Sequence, residues 1–141
     1  MFEKVLLPVD INHPESWKSA LPAARKLAGE EGEIHLLGIV HDLGSAIVAT
    51  FLPEDFERKA MEDLKEKLQD LVAAESLAGA KVETHVAHGH VPETILRLAG
   101  QIGADVIVMA SHPPNDLQTL LVGSNADKVV RHSKIPVLTM R

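Results

Sequence analysis

The sequence predicts an α/β fold in which one parallel sheet carries helices on both faces. Three observations predict it. Five short apolar runs rich in Val, Ile and Leu recur along the chain, segments with helical periodicity or helix-start signals separate them, and no linker or low-complexity stretch interrupts the alternation. Strands and helices in strict succession imply right-handed crossovers between parallel neighbours. With 141 residues, 45% hydrophobic and 24% charged, the chain suffices for one ordinary core and is short for two, so a single domain over 1–141 is expected.

The elements follow in order. Lys4-Val5-Leu6-Leu7-Pro8-Val9 has the unbroken apolar character of a strand buried on both faces, and it ends at Asp10. Asn12-His13-Pro14-Glu15 reads as a helix start, with a polar cap, a proline whose missing N–H costs nothing there, and an acid in the first turn. That helix is expected to reach Gly29 or Gly32 and to bend at Pro22. Ile34 to Val40 forms the second buried strand, and His41 to Pro53 lacks periodicity, as a covering loop would.

Phe56, Ala60, Leu64, Leu68 and Leu71 recur every three or four residues among charges, predicting a long amphipathic helix with one buried stripe. Lys81 to Val86 alternates polar and apolar residues, as an edge or half-buried strand does. Pro92-Glu93 opens a helix with Ile95, Leu98, Ala99 and Ile102 on one face, closed by Gly103. Asp105 to Ala110 is the fourth strand. Ser124 then caps a helix expected to turn Val129 and Val130 inward, with Lys134 near its end, and Ile135 to Met140 is the last strand, with Pro136 near its start, where an edge tolerates it.

Composition excludes several functions. A net charge of -6 and the absence of a basic stripe argue against a polyanionic partner, and 3% aromatic residues supply no platforms for stacking bases, so no nucleic acid is expected. There is no cysteine, hence no disulfide or thiolate chemistry. Met1-Phe2-Glu3-Lys4 begins no signal-like segment, and no apolar run approaches a membrane span, so a cytoplasmic protein without a membrane partner is expected.

In an open parallel sheet, ligands sit beyond the carboxyl ends of the strands, where the strand order reverses. The informative places are therefore Pro8-Val9-Asp10, Val40-His41, His88-Gly89-His90 and the loop from Ala110 through Ser111, His112 and Pro113 to Gly123-Ser124-Asn125. The Gly123-Ser124-Asn125 helix start offers free N–H groups, a favourable dipole and a hydroxyl to an anion. Ser124 would serve equally as a plain helix cap, and Asp127 in the same turn would repel a phosphate. Asp10 suits a turn-forming role as well as a ligand contact.

These segments together resemble the universal stress protein family. The likeness runs from Val5-Leu6-Leu7-Pro8-Val9-Asp10 through Gly89 to Ile95 and Gly103 to Met109, and is strongest over Leu120 to His132 followed by Ile135-Pro136-Val137-Leu138. The resemblance implies a Rossmann-like five-stranded sheet of order 3-2-1-4-5 and a homodimer paired through the last strand, Val137 to Met140. It also implies a stress-response protein binding ATP or a related adenine nucleotide, with Mg possible beside a triphosphate. Asp10 would then meet the adenosine moiety, Val40 the base through its backbone, and Ser111 and His112 would lie beside the phosphates.

The family's glycine pattern falls on Ala110, Pro113 and Gly123, with Ser124 matching its hydroxyl residue; only the last glycine is present. Ala110 adds one methyl group at a strand end. Pro113 lacks an N–H and holds φ near −65°, so it removes a phosphate donor. The alternative is a nucleotide-free homodimeric interaction protein of the same family.

Enzymatic readings fit less well. A phosphorelay receiver needs an acceptor aspartate after its third strand, where this chain has His85-Val86-Ala87-His88. No nucleophile elbow or metal-carboxylate cluster marks the loop, so no catalytic residue is expected and hydrolysis of ATP would be very slow at most. His88-Gly89-His90 is the only close histidine pair, and His112 follows a different strand, so no metal site is expected in the chain.

Overall fold

The computed structural model describes residues 2–41, 55–75, 77, 80–111 and 124–140. Its elements are β1 (Lys4–Pro8), a 3₁₀ turn (Pro14–Ser16), α1 (Ala20–Ala28), β2 (Glu33–His41), α2 (Phe56–Ala74), β3 (Lys81–Gly89), α3 (Val91–Ile102), β4 (Val106–Ala110), α4 (Ser124–His132) and β5 (Val137–Met140). The five strands form one sheet in the order β3-β2-β1-β4-β5, every pair parallel. The expected architecture and strand order are both present.

Alternation along each strand builds two apolar layers. Val5, Leu7, Ile34, Leu36, Val106 and Val108 face α1 and α2, where Ala20, Leu21, Ala24, Leu68 and Leu71 complete one core. Leu6, Leu37, Ile107 and Met109 face the other way, against Ile95 and Ala99 of α3 and Ala126 and Val129 of α4. The chain steps from β1 to β2 to β3 in one direction, then crosses to β4 and β5 in the other. Right-handed connections consequently place the first two helices on one face and the last two on the opposite face.

Two glycines matter to this packing. Gly103 ends α3 in the left-handed conformation, φ 68°, with its N–H returned to the last carbonyls of the helix. Gly38 lets α2 approach β2 closely, since a Cβ there would lie 2.9 Å from Leu64 Cγ and Cδ2.

Several details differ from the expectations. Chain entering α1 first makes the 3₁₀ turn, with His13 in the cap position and no side-chain cap hydrogen bond; Asn12 is not the cap. Pro22 is the third residue of α1 rather than an interior one. Its missing N–H falls among the first four, which have no partner within the helix itself. β3 extends to Gly89, beyond Val86, because it pairs with β2 over its whole length.

Phe56, expected on the buried stripe of α2, is 40% exposed, and only Leu68 and Leu71 of that helix are buried. The amino-terminal turns of α2 border an open groove along β3, lined there by Glu57, Arg58 and Met61. Val130, expected inward beside Val129, is 50% exposed whereas Val129 is 0% exposed. Adjacent helical residues differ by about 100° in direction, so a narrow stripe admits only one of them.

Candidate functional site at the strand-order reversal

β1 is the centre of the sheet, hydrogen-bonded to β2 on one side and to β4 on the other. Beyond its carboxyl end the connections leave in opposite directions, which opens the crevice used by doubly wound sheets. Around it the described residues place Pro8 at the end of β1 with Val9 and Asp10 after it, Val40 near the end of β2, Ala110 and Ser111 at the end of β4, and Ser124 and Asn125 in the first turn of α4. His112, Pro113 and Gly123 lie outside the described residues.

The backbone at this end is already partly engaged. Val9 is 5% exposed and donates its N–H to the Leu37 carbonyl at 2.8 Å. The Ser111 N–H donates to the Met140 carbonyl at 2.7 Å, continuing the β4–β5 ladder one residue further. These two donors therefore do not face a ligand. Ala110 packs against the core on the α1 side together with Met140, so its methyl group is a wall contact rather than an obstruction projecting freely.

Asp10 organises its own loop. Its Oδ1 accepts the Asn12 N–H at 3.1 Å, and its Oδ2 lies 2.9 Å from His13 Nδ1. The Asp10 N–H donates to Ser16 Oγ at 2.9 Å, while the Ser16 hydroxyl donates back to the Asp10 carbonyl at 3.0 Å. The turn-forming role read from the sequence is thus real. It does not exhaust the carboxylate, because each oxygen has two acceptor directions and the side chain is 50% exposed.

At α4, Asn125 is exposed and Ala126 is buried, which orients the first turn with its apolar side on the sheet. Asp127, a source of repulsion towards a phosphate, is paired with Arg131 Nε at 3.2 Å one turn along. This pairing draws the negative charge along the helix and partly neutralises it. One further feature escaped the sequence reading. Trp17, 8% exposed, belongs to the same core cluster as Val9 and has Ala110 and Met140 packed against that cluster, yet its indole N–H has no hydrogen-bond partner among the described residues.

A second group of polar side chains lies in the sheet itself. His35, 3% exposed, places Nε2 2.9 Å from Glu33 Oε2 and Nδ1 2.8 Å from His85 Nε2. The hydrogen bond from His35 holds the Glu33 carboxyl below its ordinary range. Burial, and then the neighbouring His35, holds His85 below the ordinary histidine value. The available signal was the repeated Glu-x-His in Glu33-Ile34-His35 and Glu83-Thr84-His85, whose spacing of two puts each pair on one face of its strand.

Comparisons with known proteins agree with this architecture. The Universal stress protein family model matches residues 1–141. Universal stress protein G of Shigella flexneri is 34% identical over 143 residues, covering 100% of both chains. Universal stress protein MJ0577 of Methanocaldococcus jannaschii is 27% identical over 157 residues, covering 100% of this chain and 96% of the relative. Its solved structure superposes with a TM-score of 0.81 at 28% identity, over 99% of this chain and 96% of that one. A universal stress protein solved in complex with cAMP shares the fold at a TM-score of 0.65 and 16% identity, over 99% and 97% of the two chains. A family match over the whole length, together with full-length relatives and the same strand order, leads to one conclusion: the chain belongs to the universal stress protein family.

Proposed function

We propose that this protein binds an adenine nucleotide, ATP, ADP or AMP, between the carboxyl ends of β1 and β4, and acts in the stress response as a regulatory protein rather than a catalyst. The observation that carries the reading is the half-exposed Asp10 carboxylate at the end of the central strand, beside the reversal of strand order. It can accept from a ribose hydroxyl while keeping its own turn. Phosphates would lie towards the first turn of α4, with Ser124 and Asn125, where helix N–H groups lack intrahelical partners. Mg²⁺ would accompany a triphosphate through the phosphate oxygens. That the fold accommodates a cyclic adenine nucleotide in a distant relative supports the reading.

The test is a melting curve with each nucleotide at millimolar concentration. A ligand that binds only the native state raises the midpoint by mass action. A rise with at least one nucleotide is expected, and no rise with any of the three overturns the proposal. Phosphate release from ATP should stay below ordinary enzyme turnover, about one per second.

A second reading, a nucleotide-free homodimer, is favoured by the engagement of the Val9 and Ser111 N–H groups within the sheet. In that case the double variant Ala110→Gly, Pro113→Gly would bind nucleotide while the native chain does not. Both readings include a dimer through β5, an edge strand with Leu138 38% exposed. Non-denaturing mass spectrometry of the purified protein reports the dimer and any retained nucleotide together.

A further inference from the structure

β2 and β3 each carry Glu-x-His, and their parallel register sets His35 opposite Glu83 and Leu37 opposite His85. Alternation therefore brings Glu33, His35, Glu83 and His85 to the same face of the sheet, the one covered by α3. His35 Nδ1, His85 Nε2 and a Glu83 carboxylate oxygen all lie within 4.8 Å of one another. The triangle they form has edges of 2.8 Å between the nitrogens, 3.5 Å from His35 Nδ1 to Glu83 Oε2 and 3.9 Å from His85 Nε2 to Glu83 Oε2. A tetrahedral zinc with bonds of about 2.0–2.2 Å spaces its ligands by about 3.3–3.6 Å. We propose that His35, His85 and Glu83 form a binding site for a divalent first-row transition cation of the zinc class, with the fourth position open to water.

The surroundings of His35 support this assignment. A carboxylate only accepts, so the 2.9 Å contact with Glu33 Oε2 puts the ring hydrogen on His35 Nε2. In that tautomer the Nδ1 lone pair faces His85. An imidazole whose far nitrogen is held by a carboxylate is the usual arrangement of a metal-bound histidine. His35 is buried and fixed, whereas the side chains of His85 and Glu83 are 24% and 64% exposed and can adjust.

Some adjustment is required. The His35 and His85 rings lie within 16° of parallel with centroids 5.1 Å apart, the separation of two imidazoles joined end to end by a hydrogen bond. With no cation, His85 Nε2–H donates to His35 Nδ1. Cation binding opens this contact by about half an ångström towards the tetrahedral spacing. His85 turns out of line, and its proton passes through solvent from Nε2 to its own Nδ1. The groove beside His85, bordered by Arg97 and Gln101, gives the ion a path from solvent. The site joins the edge strand to its neighbour. It lies away from the crevice beyond β1 and β4, so it stands or falls independently of nucleotide binding.

The experiment is isothermal titration of Zn²⁺ into tag-free, chelator-treated protein near neutral pH, with Tm measured in parallel. Native protein should take up one Zn²⁺ per chain and melt higher with zinc. His85→Gln and Glu83→Gln, both at partly exposed side chains, should each lose at least tenfold in affinity. Glu33→Gln, which leaves the three ligands in place, should weaken binding by about 10- to 100-fold as a positioning change. Four-coordinate Co²⁺ bound in place of zinc should give visible absorption bands that His85→Gln abolishes. Absence of zinc uptake by the native chain means a hydrogen-bonded histidine pair only and overturns the proposal. Equal uptake by His85→Gln and the native chain means binding at other histidines and overturns it too.

Discussion

Asp10→Ala separates what Asp10 does for the loop from what it does for a ligand. The substitution removes the acceptor of the Asn12 N–H and the partner of His13, while the reciprocal pair between Ser16 Oγ and the Asp10 backbone remains. Both lost contacts are at exposed groups that water can satisfy, so the cost should be about 1 kcal/mol, the net value of one ordinary hydrogen bond. For a chain of this length that lowers Tm by about 3 °C. Differential scanning fluorimetry without nucleotide should show this small decrease. The same scan with ATP, ADP or AMP should show the ligand-induced rise reduced or lost. A fall of more than about 10 °C without ligand, several times the hydrogen-bond estimate, would mean that Asp10 holds far more than its turn. An undiminished ligand-induced rise in Asp10→Ala would remove Asp10 from the nucleotide site.

Gly38→Ala should destabilise by about 1–3 kcal/mol through overpacking, because the new methyl would meet Leu64 at 2.9 Å. Urea unfolding of this variant, and of Gly38→Ala combined with Leu64→Ala, should show the steric part relieved in the pair. Acid should weaken the fold in two windows. His85 sits below its ordinary value of 6.5, so the unfolded chain takes up its proton first and stability declines as pH falls below about 6.5. Glu33 sits below its ordinary value of 4.5, so its contribution is present above that pH and is lost as pH falls through its lower folded value. Urea midpoints from pH 8 down to about 2 check both signs, and His85→Gln should flatten the upper window. Leu138→Lys should dissociate the proposed dimer in light scattering while leaving Tm of the monomer nearly unchanged, since this side chain is 38% exposed on an edge strand; an intact dimer would move the interface elsewhere.

The sequence by itself determined the elements and the class of fold. Runs such as Val5-Leu6-Leu7 and Val106-Ile107-Val108 can be buried on both faces only in a parallel sheet covered by helices, so pattern alone led to the layers. It also pointed to the carboxyl ends of the strands as the place to look for a ligand, because that follows from an open parallel sheet. Where it erred, the deciding fact was three-dimensional. Pro22 stands third in α1 rather than in its interior, and Phe56 and Val130 are exposed because burial depends on what lies opposite each helix.

Tertiary structure alone decided the state of the polar groups. Whether the Ser111 N–H is spent on Met140, or the Val9 N–H on Leu37, depends on remote neighbours that one-dimensional spacing does not carry. His35 and His85 are 50 positions apart, and only the parallel register of β2 with β3 sets one beside the other. Periodicity tells which face a residue takes. Register, a property of two strands together, tells which residue it meets.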